Sequence, residues 1–364
     1  MAQSPMLDQI NIASVDPSDM MGAVLSLPEQ CDRAKQFAAA ADLGALAGKR
    51  FANVVIAGMG GSAIGGDLLR SIFEPHLEMP VAVSRDYHLP GYVGRETLVV
   101  TASYSGNTEE TLASYDAARK VGAALLAVTT GGELAARAAR DGVPTIAIPG
   151  GLQPRAAIGY GFVPLMVAAG RLGLMSERLL GDTDEMIAVL TGVRDECNPE
   201  VPQANNRAKA LAAQWAGSIP VIFGSQAERG AVAYRWKTQI NENAKAFAAA
   251  GVLPELDHNE VVGWSGHGVQ ARPEHTLSVV FLRDESESEQ IRKRAELTKQ
   301  IVEKRAARVT EVWPSGESVL ARAMSLVYVG DFASCYLAYV YGEDPTPVKI
   351  IDWLKSELGR PSRR

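Results

Sequence analysis

From residue 53 onward, short apolar runs alternate with longer amphipathic stretches. Asn53-Val-Val-Ile-Ala57 is apolar on both faces, as a strand buried between two helical layers must be, and it runs into Gly58-Met-Gly-Gly-Ser62 and a helix reaching Arg70. Strands at 81–83, 98–101, 124–128 and 145–148 follow, with helices at 108–121 and 133–140 between them. This alternation predicts a parallel sheet with helices on both faces. Helical patterns at 156–174, 183–194 and 203–215 precede a second series. That series has strands at 219–223, 277–282 and 308–312, and helices at 231–243, 287–305 and 318–341. A loop containing Gly251 precedes Leu253.

The chain therefore reads as α/β, with two doubly wound parallel-sheet units and helical extensions at both ends. The units are placed at 51–175 and 217–364, after a helical segment 1–50 and around a helical linker 176–216. The longest apolar stretch, 321–341, is interrupted by Arg322, Ser325, Gly330, Asp331 and Ser334. It reads as a buried helix rather than a membrane span.

Charge narrows the partners. The formal net charge is −6, which argues against a nucleic-acid or anionic-membrane surface, so an anionic ligand needs a local pocket rich in N–H groups or cations. Cys31, Cys197 and Cys335 are widely spaced, which suggests a reduced, cytoplasmic chain. The first residues lack the basic and apolar regions of a signal peptide.

Gly58-Met-Gly-Gly-Ser-Ala-Ile-Gly-Gly-Asp67 stands where a strand turns into a helix. Its glycines permit close backbone approach, and the helix start offers N–H groups to an anion. A tight strand-to-helix turn and a dinucleotide site are the competing explanations; Ser84-Arg85-Asp86 after the next strand does not decide between them. A second element, Ser103-Tyr-Ser-Gly-Asn-Thr-Glu-Glu-Thr111, opens the next helix. Asn107 and Glu110 have the spacing of a capping box, but the three hydroxyls of Ser103, Ser105 and Thr108 exceed what a cap requires. Hydroxyls beside helix-terminal N–H groups suit a monophosphate without a lysine. The two motifs together resemble the SIS (sugar isomerase) domain, a five-stranded parallel module that binds phosphosugars. By that resemblance Gly61, Ser62, Ser103, Ser105 and Thr108 hold the phosphate.

Glu242 ends a helical pattern in Trp236-Lys-Thr-Gln-Ile-Asn-Glu-Asn-Ala-Lys245, and His258 follows sixteen residues later in Leu253-Pro-Glu-Leu-Asp-His-Asn-Glu260. Aldose–ketose exchange requires a base between C1 and C2, a group that opens the ring, and a cation beside the enediolate. Taken singly, Glu242 is also consistent with a solvated helix residue and His258 with a surface loop. Together, N-E-N-A-K and P-E-L-D-H-N-E resemble the bifunctional phosphoglucose/phosphomannose isomerases of the SIS superfamily. That resemblance implies Glu242 as the proton-shuttling base and His258 as the ring-opening group. It also implies Arg155, in Gln153-Pro-Arg-Ala-Ala157, as the cation facing the enediolate. Lys355 matches the lysine of the family's closing helix, with Lys349 the second candidate.

Further expectations follow from the same resemblance. The substrates are glucose 6-phosphate and mannose 6-phosphate, exchanged with fructose 6-phosphate without metal or cofactor. The chain is a homodimer in which His258 serves the partner's site. Family members can carry a threonine seven residues before the final lysine; here that position is Val348, with Thr346 two residues earlier. A metal-dependent isomerase, a SIS-type sensor without catalysis and a nicotinamide enzyme are the alternatives. None of them accounts for Arg155, Glu242 and His258 together.

Overall fold

The computed structural model describes residues 7–225, 227–265 and 276–358. Helices α1 (Ile12–Val15), α2 (Met20–Leu25) and α3 (Leu27–Ala40) lead into the first sheet. Its strands are β1 (Asn53–Ala57), β2 (Val81–Ser84), β3 (Thr97–Ser103), β4 (Ala124–Thr129) and β5 (Thr145–Ala147). They alternate with α4 (Gly60–Phe73), α5 (Glu109–Val121) and α6 (Gly132–Asp141). Helices α7 (Ile158–Arg171), α8 (Asp182–Cys197) and α9 (Arg207–Trp215) follow. The second sheet holds β6 (Ile219–Gly224), β7 (Ala249–Val252), β8 (Leu277–Leu282) and β9 (Arg308–Val312). Its helices are α10 (Ala227–Asn243), α11 (Glu289–Val302), α12 (Val319–Tyr341) and α13 (Lys349–Leu358). Both sheets are parallel throughout, in the orders β2-β1-β3-β4-β5 and β7-β6-β8-β9.

Side chains alternate across a strand, and here the alternation separates two kinds of core. Val54, Ile56, Val100 and Leu126 of the first sheet, with Ile222, Val280 and Leu282 of the second, belong to one continuous apolar cluster shared by both sheets. The intervening Val55, Val99, Leu125 and Ala127 face a separate outer layer formed with α5 and α6. Val221, Phe223, Val279 and Phe281 face another, formed with α11. The shared core has α12 at its centre. Ser318 caps that helix by accepting from Ala321 N at 3.1 Å, and Gly342 ends it in the left-handed region at φ 69°. The apolar stretch expected to be a buried helix is therefore one.

Two local expectations are corrected. Ala249–Val252 is a strand paired with β6 rather than loop; Ala-Ala-Gly-Val has little strand propensity of its own, and pairing at the sheet edge supplies the conformation. The helix expected over 156–174 is split into a 3₁₀ turn at Pro154–Ala156 and then α7. The turn matters because it carries Arg155.

Helix α10 is seated on α12 by Trp236, which is fully buried and donates its indole N–H to Leu326 O at 2.8 Å. Gly330 makes the seat possible: a Cβ there would lie 2.2 Å from Trp236 Nε1. The close crossing fixes where the C-terminal end of α10, and so Glu242, meets the first sheet.

Candidate active site

In the first sheet the strand order reverses between β1 and β3, so the chain leaves these neighbours toward opposite faces and opens a crevice at their C-terminal ends. The two motifs singled out in the sequence flank this crevice. Ser62, in the first turn of α4, accepts from Tyr104 N at 3.2 Å and ties one loop to the other. Ser103 is buried; its Oγ accepts from Gly106 N at 3.1 Å and lies 2.9 Å from Thr108 Oγ1. Ser105 is exposed and accepts from Asn107 N at 3.2 Å.

The capping-box expectation is corrected. Thr108, not Asn107, occupies the N-cap of α5, and its hydroxyl turns to Ser103 instead of capping the helix. Asn107 accepts from Glu133 N at 3.0 Å and so caps the neighbouring α6. The first turn of α5 is left without a side-chain cap, facing a cluster of hydroxyls. That is the arrangement an anion requires. Gly106 (φ 70°) admits no side chain, because a Cβ would meet Gly131 O at 1.9 Å.

The crevice is continuous with the turn that bears Arg155. A Cβ on Gly61 would stand 2.6 Å from Pro154 O, so only glycine lets α4 rest on that turn. Arg155 is 4% exposed, and almost every donor it has is engaged. Its Nε donates to Asn243 Oδ1 at 2.6 Å, and its Nη2 donates to Pro345 O at 2.7 Å and Thr346 O at 2.8 Å. Its Nη1 faces Glu242 Oε2 at 3.4 Å. Burial pushes the guanidinium below its ordinary value and the Glu242 carboxylate opposes that; arginine stays cationic over the working range.

Glu242 stands on the last turn of α10, its side chain about one-third exposed. It lines a groove of 780 Å³ with Asn241, Lys245, Phe247, Asp344, Val348 and the first residues of α13. Lys245 closes the helix in the left-handed region at φ 52°. Its Nζ donates to Glu242 O, Asn243 O, Asp344 O and Pro345 O at 2.7–3.2 Å. Burial first, then the charge of Arg155, presses the Lys245 ammonium below its usual value.

The structure thus brings together Arg155, from the turn after the first sheet, and Glu242, from the second sheet's α10, beside the crevice holding Gly61, Ser62, Ser103 and Thr108. His258 is not part of that cluster. It is exposed at the end of a 3₁₀ turn, Glu255–His258, and is absent from the lining of the groove. Its neighbour Asp257 is anchored to α11 by Arg294 at 3.0 Å and Thr298 at 2.7 Å. Lys355 is exposed on α13, and Lys349 lies in the groove wall where that helix begins. Val348 also lines the groove, whereas Thr346 has a buried hydroxyl with no hydrogen-bond partner among the described residues.

Sequence reasoning missed Asn243, Lys245, Arg235 and Asp331. Arg235, Gln239 and Asn243 recur every four residues, a polar stripe on a helix whose neighbouring positions are core, and Asp331 interrupts the apolar run of α12. Those two irregularities were the available signal.

Residues 204–358 match the bacterial phospho-glucose isomerase C-terminal SIS domain, and residues 46–150 match the SIS domain. A bifunctional phosphoglucose/phosphomannose isomerase of Caldicellulosiruptor bescii is 43% identical over 342 residues, 93% of this chain and 98% of that protein. The chain belongs to the bifunctional phosphoglucose/phosphomannose isomerase family. A family member from Aquifex aeolicus is 36% identical over 85% of this chain and 91% of its own length. Among solved structures, the C-terminal domain of glucosamine-fructose-6-phosphate aminotransferase from Francisella tularensis superposes with a TM-score of 0.71. At 14% identity, covering 89% of this chain and 97% of that one, it shares the fold. Of the two motifs that suggested this family, N-E-N-A-K meets the Arg155 turn, whereas P-E-L-D-H-N-E leaves His258 exposed outside the groove.

Proposed function

We propose that the chain interconverts glucose 6-phosphate and mannose 6-phosphate with fructose 6-phosphate through an enediolate. The observation that carries this reading is the meeting of Glu242 with a locked, buried Arg155 at 3.4 Å, beside an uncapped helix start ringed with hydroxyls.

The phosphate sits among Ser62, Ser103, Ser105 and Thr108, with the N–H groups of α5 and the main chain at Gly61. Glu242 takes the proton from C2 of the aldose and returns it to C1, and the reverse holds for the ketose. Charge then develops on the C1 and C2 oxygens. Arg155 has spent Nε and Nη2 on protein acceptors, so Nη1 is the edge it presents to the enediolate. Because the cation is held in place beforehand, it does not reorganise as the charge forms, and that is what makes such stabilisation effective. His258 assists ring opening, and Lys355 or Lys349 attends the ring oxygen or a sugar hydroxyl.

His258 lies outside the groove in its own chain, so in this reading it acts in the partner's site of a homodimer. The apolar stripe of Ile350, Trp353, Leu354 and Leu358 on α13, each more than half exposed, supports that assembly: such a face is costly to leave in water. Val348 lines the groove and Thr346 lies two residues earlier in the same segment, and substituting each in turn tests which one admits the mannose epimer.

A coupled assay on the three sugar phosphates tests the proposal. Glu242→Gln should lose nearly all turnover while still binding the phosphosugar, and solvent deuterium should enter C2 in the native protein alone. Full turnover by Glu242→Gln would sink the mechanism. Mixed dimers of Glu242→Gln with His258→Ala should regain part of the activity; no recovery in verified heterodimers would remove the shared site. Activity that survives exhaustive EDTA treatment is expected.

A further inference from the structure

Arg155 comes from the first sheet, yet its anchors lie on elements of the second. Arg235, Gln239 and Asn243 are four residues apart on α10 and so share one face of the helix. All three are at least 98% buried. Arg235 grips Asp331 of α12 with Nε at 3.1 Å and Nη2 at 2.7 Å, and Gln239 donates to the same carboxylate at 2.9 Å. Nη2 of Arg235 also reaches across the core to the main-chain oxygen of Arg155 at 2.9 Å. Eight residues on, Asn243 accepts from Arg155 Nε and is itself oriented by donating to Ser334 Oγ at 2.9 Å.

A buried ion pair is weak evidence for stability, since desolvating both charges offsets most of their attraction. Here the pair gives a rigid fork, and the second N–H of Nη2 fixes the backbone of the turn carrying Arg155. Asn243, adjacent to Glu242 in sequence, fixes the side chain. We propose that Arg235 and Asn243 are positioning residues for the isomerisation: one face of α10 sets where the Arg155 cation stands relative to Glu242, with Asp331 holding Arg235 in line. The inference rests on the reading of Arg155 as the cation that faces the enediolate.

Two variants test it. Arg235→Lys keeps the charge beside Asp331 but loses the fork, and Asn243→Ser removes the acceptor for Arg155 Nε. Misplacing a preorganised group by about an ångström costs up to about 100-fold, so kcat should fall by about 10- to 100-fold, with KM changed less than about threefold. Calorimetric titration supplies a readout that loss of packing alone would not give. An aldonohydroxamate 5-phosphate, which mimics the enediolate, should lose about tenfold or more in affinity. Glucitol 6-phosphate, an open-chain mimic without the enediolate charge, should change less than about threefold. Equal weakening of both ligands, or kcat within twofold of the native value, overturns the inference and leaves the proposed function standing. A native protein that does not isomerise sugar phosphates overturns both. If Arg235→Lys does not fold, Asn243→Ser decides by the same measurements.

Discussion

Replacing Lys245 by methionine removes a side chain that ties the end of α10 to the segment before α13. Its ammonium has three protons for four carbonyl oxygens, at Glu242, Asn243, Asp344 and Pro345, so no more than three bonds are fully made at once. Much of the residue is open to solvent, which places each bond toward the lower part of the usual net range, about 0.5–1 kcal/mol. Pro345 O keeps a donor from Arg155 in the variant, so one acceptor is not orphaned. The expected loss is about 2 kcal/mol. The backbone offers an internal control. At φ 52° a residue with a Cβ is strained by about 1 kcal/mol relative to glycine, so Lys245→Gly loses the same bonds while relieving that strain. Urea unfolding should therefore rank native above Lys245→Gly above Lys245→Met, with unchanged m-values. In the sugar-phosphate assay both variants should slow turnover, because the segment 344–346 supplies two of the acceptors that hold Arg155. A methionine variant within about 0.5 kcal/mol of native, or one more stable than the glycine variant, would refute the reasoning.

Thr108→Val keeps the shape of the residue but deletes the hydroxyl facing Ser103. Losing one hydrogen bond to a charged phosphate costs about 1.5–3 kcal/mol, so KM for each sugar phosphate should rise by about tenfold or more while kcat moves far less; an unchanged KM would remove Thr108 from the phosphate site. The acid limb of stability should reflect Glu311. Burial raises its carboxyl pKa, but Lys299 at 2.6 Å and Arg283 outweigh burial and hold it below its ordinary value. A depressed carboxylate stabilises the fold above its unfolded pKa, and that contribution is lost as pH falls through the folded value. Between about pH 5 and pH 3 the native protein should lose more stability than Glu311→Gln, as read from urea midpoints, and parallel losses would contradict the assignment.

How much of this could be read from the sequence depended on the range of the interaction concerned. Runs such as Val54–Ala57 and Val279–Leu282 are apolar at every position because both faces are covered, and that is visible one residue at a time. Strand β7 was not, because Ala-Ala-Gly-Val is extended only through its partner β6. The hydroxyls of Ser103 and Thr108 were visible as excess over a helix cap, although the cap was assigned to the wrong residue. Asn107 serves α6, twenty-six residues away, and local spacing cannot reveal that. Arg155 and Glu242 were found only because their motifs resembled a family. Eighty-seven residues separate them, and neither carries a local mark of its partner. The left-handed Lys245 was hidden for a different reason: its conformation is set by four carbonyls on two segments, and lysine has no intrinsic preference for that region.

The duplicated architecture raises the question of why the proposed phosphate site draws on only one of two sheets of similar winding. In the second sheet the order reverses between β6 and β8, so a matching crevice must open at their C-terminal ends. The carboxylate of Asp284, just after β8, takes donors from Arg229 and from Arg322 at 3.0 Å, and accepts from Ser286 N at 2.8 Å. Guanidinium groups and a main-chain N–H around one carboxylate form the donor set that would otherwise receive a bound anion. Asp284 is 1% exposed, so a phosphate would have to displace a charge the protein already pairs and buries. In the proposed mechanism the second unit therefore acts through its helix α10, which carries Glu242 and holds Arg155, while the first provides the phosphate cradle. In that mechanism the two units differ because the donors beside β8 are paired with the chain's own Asp284 carboxylate, whereas those beside β3 are hydroxyls and main-chain N–H groups without a carboxylate among them in the described hydrogen bonds.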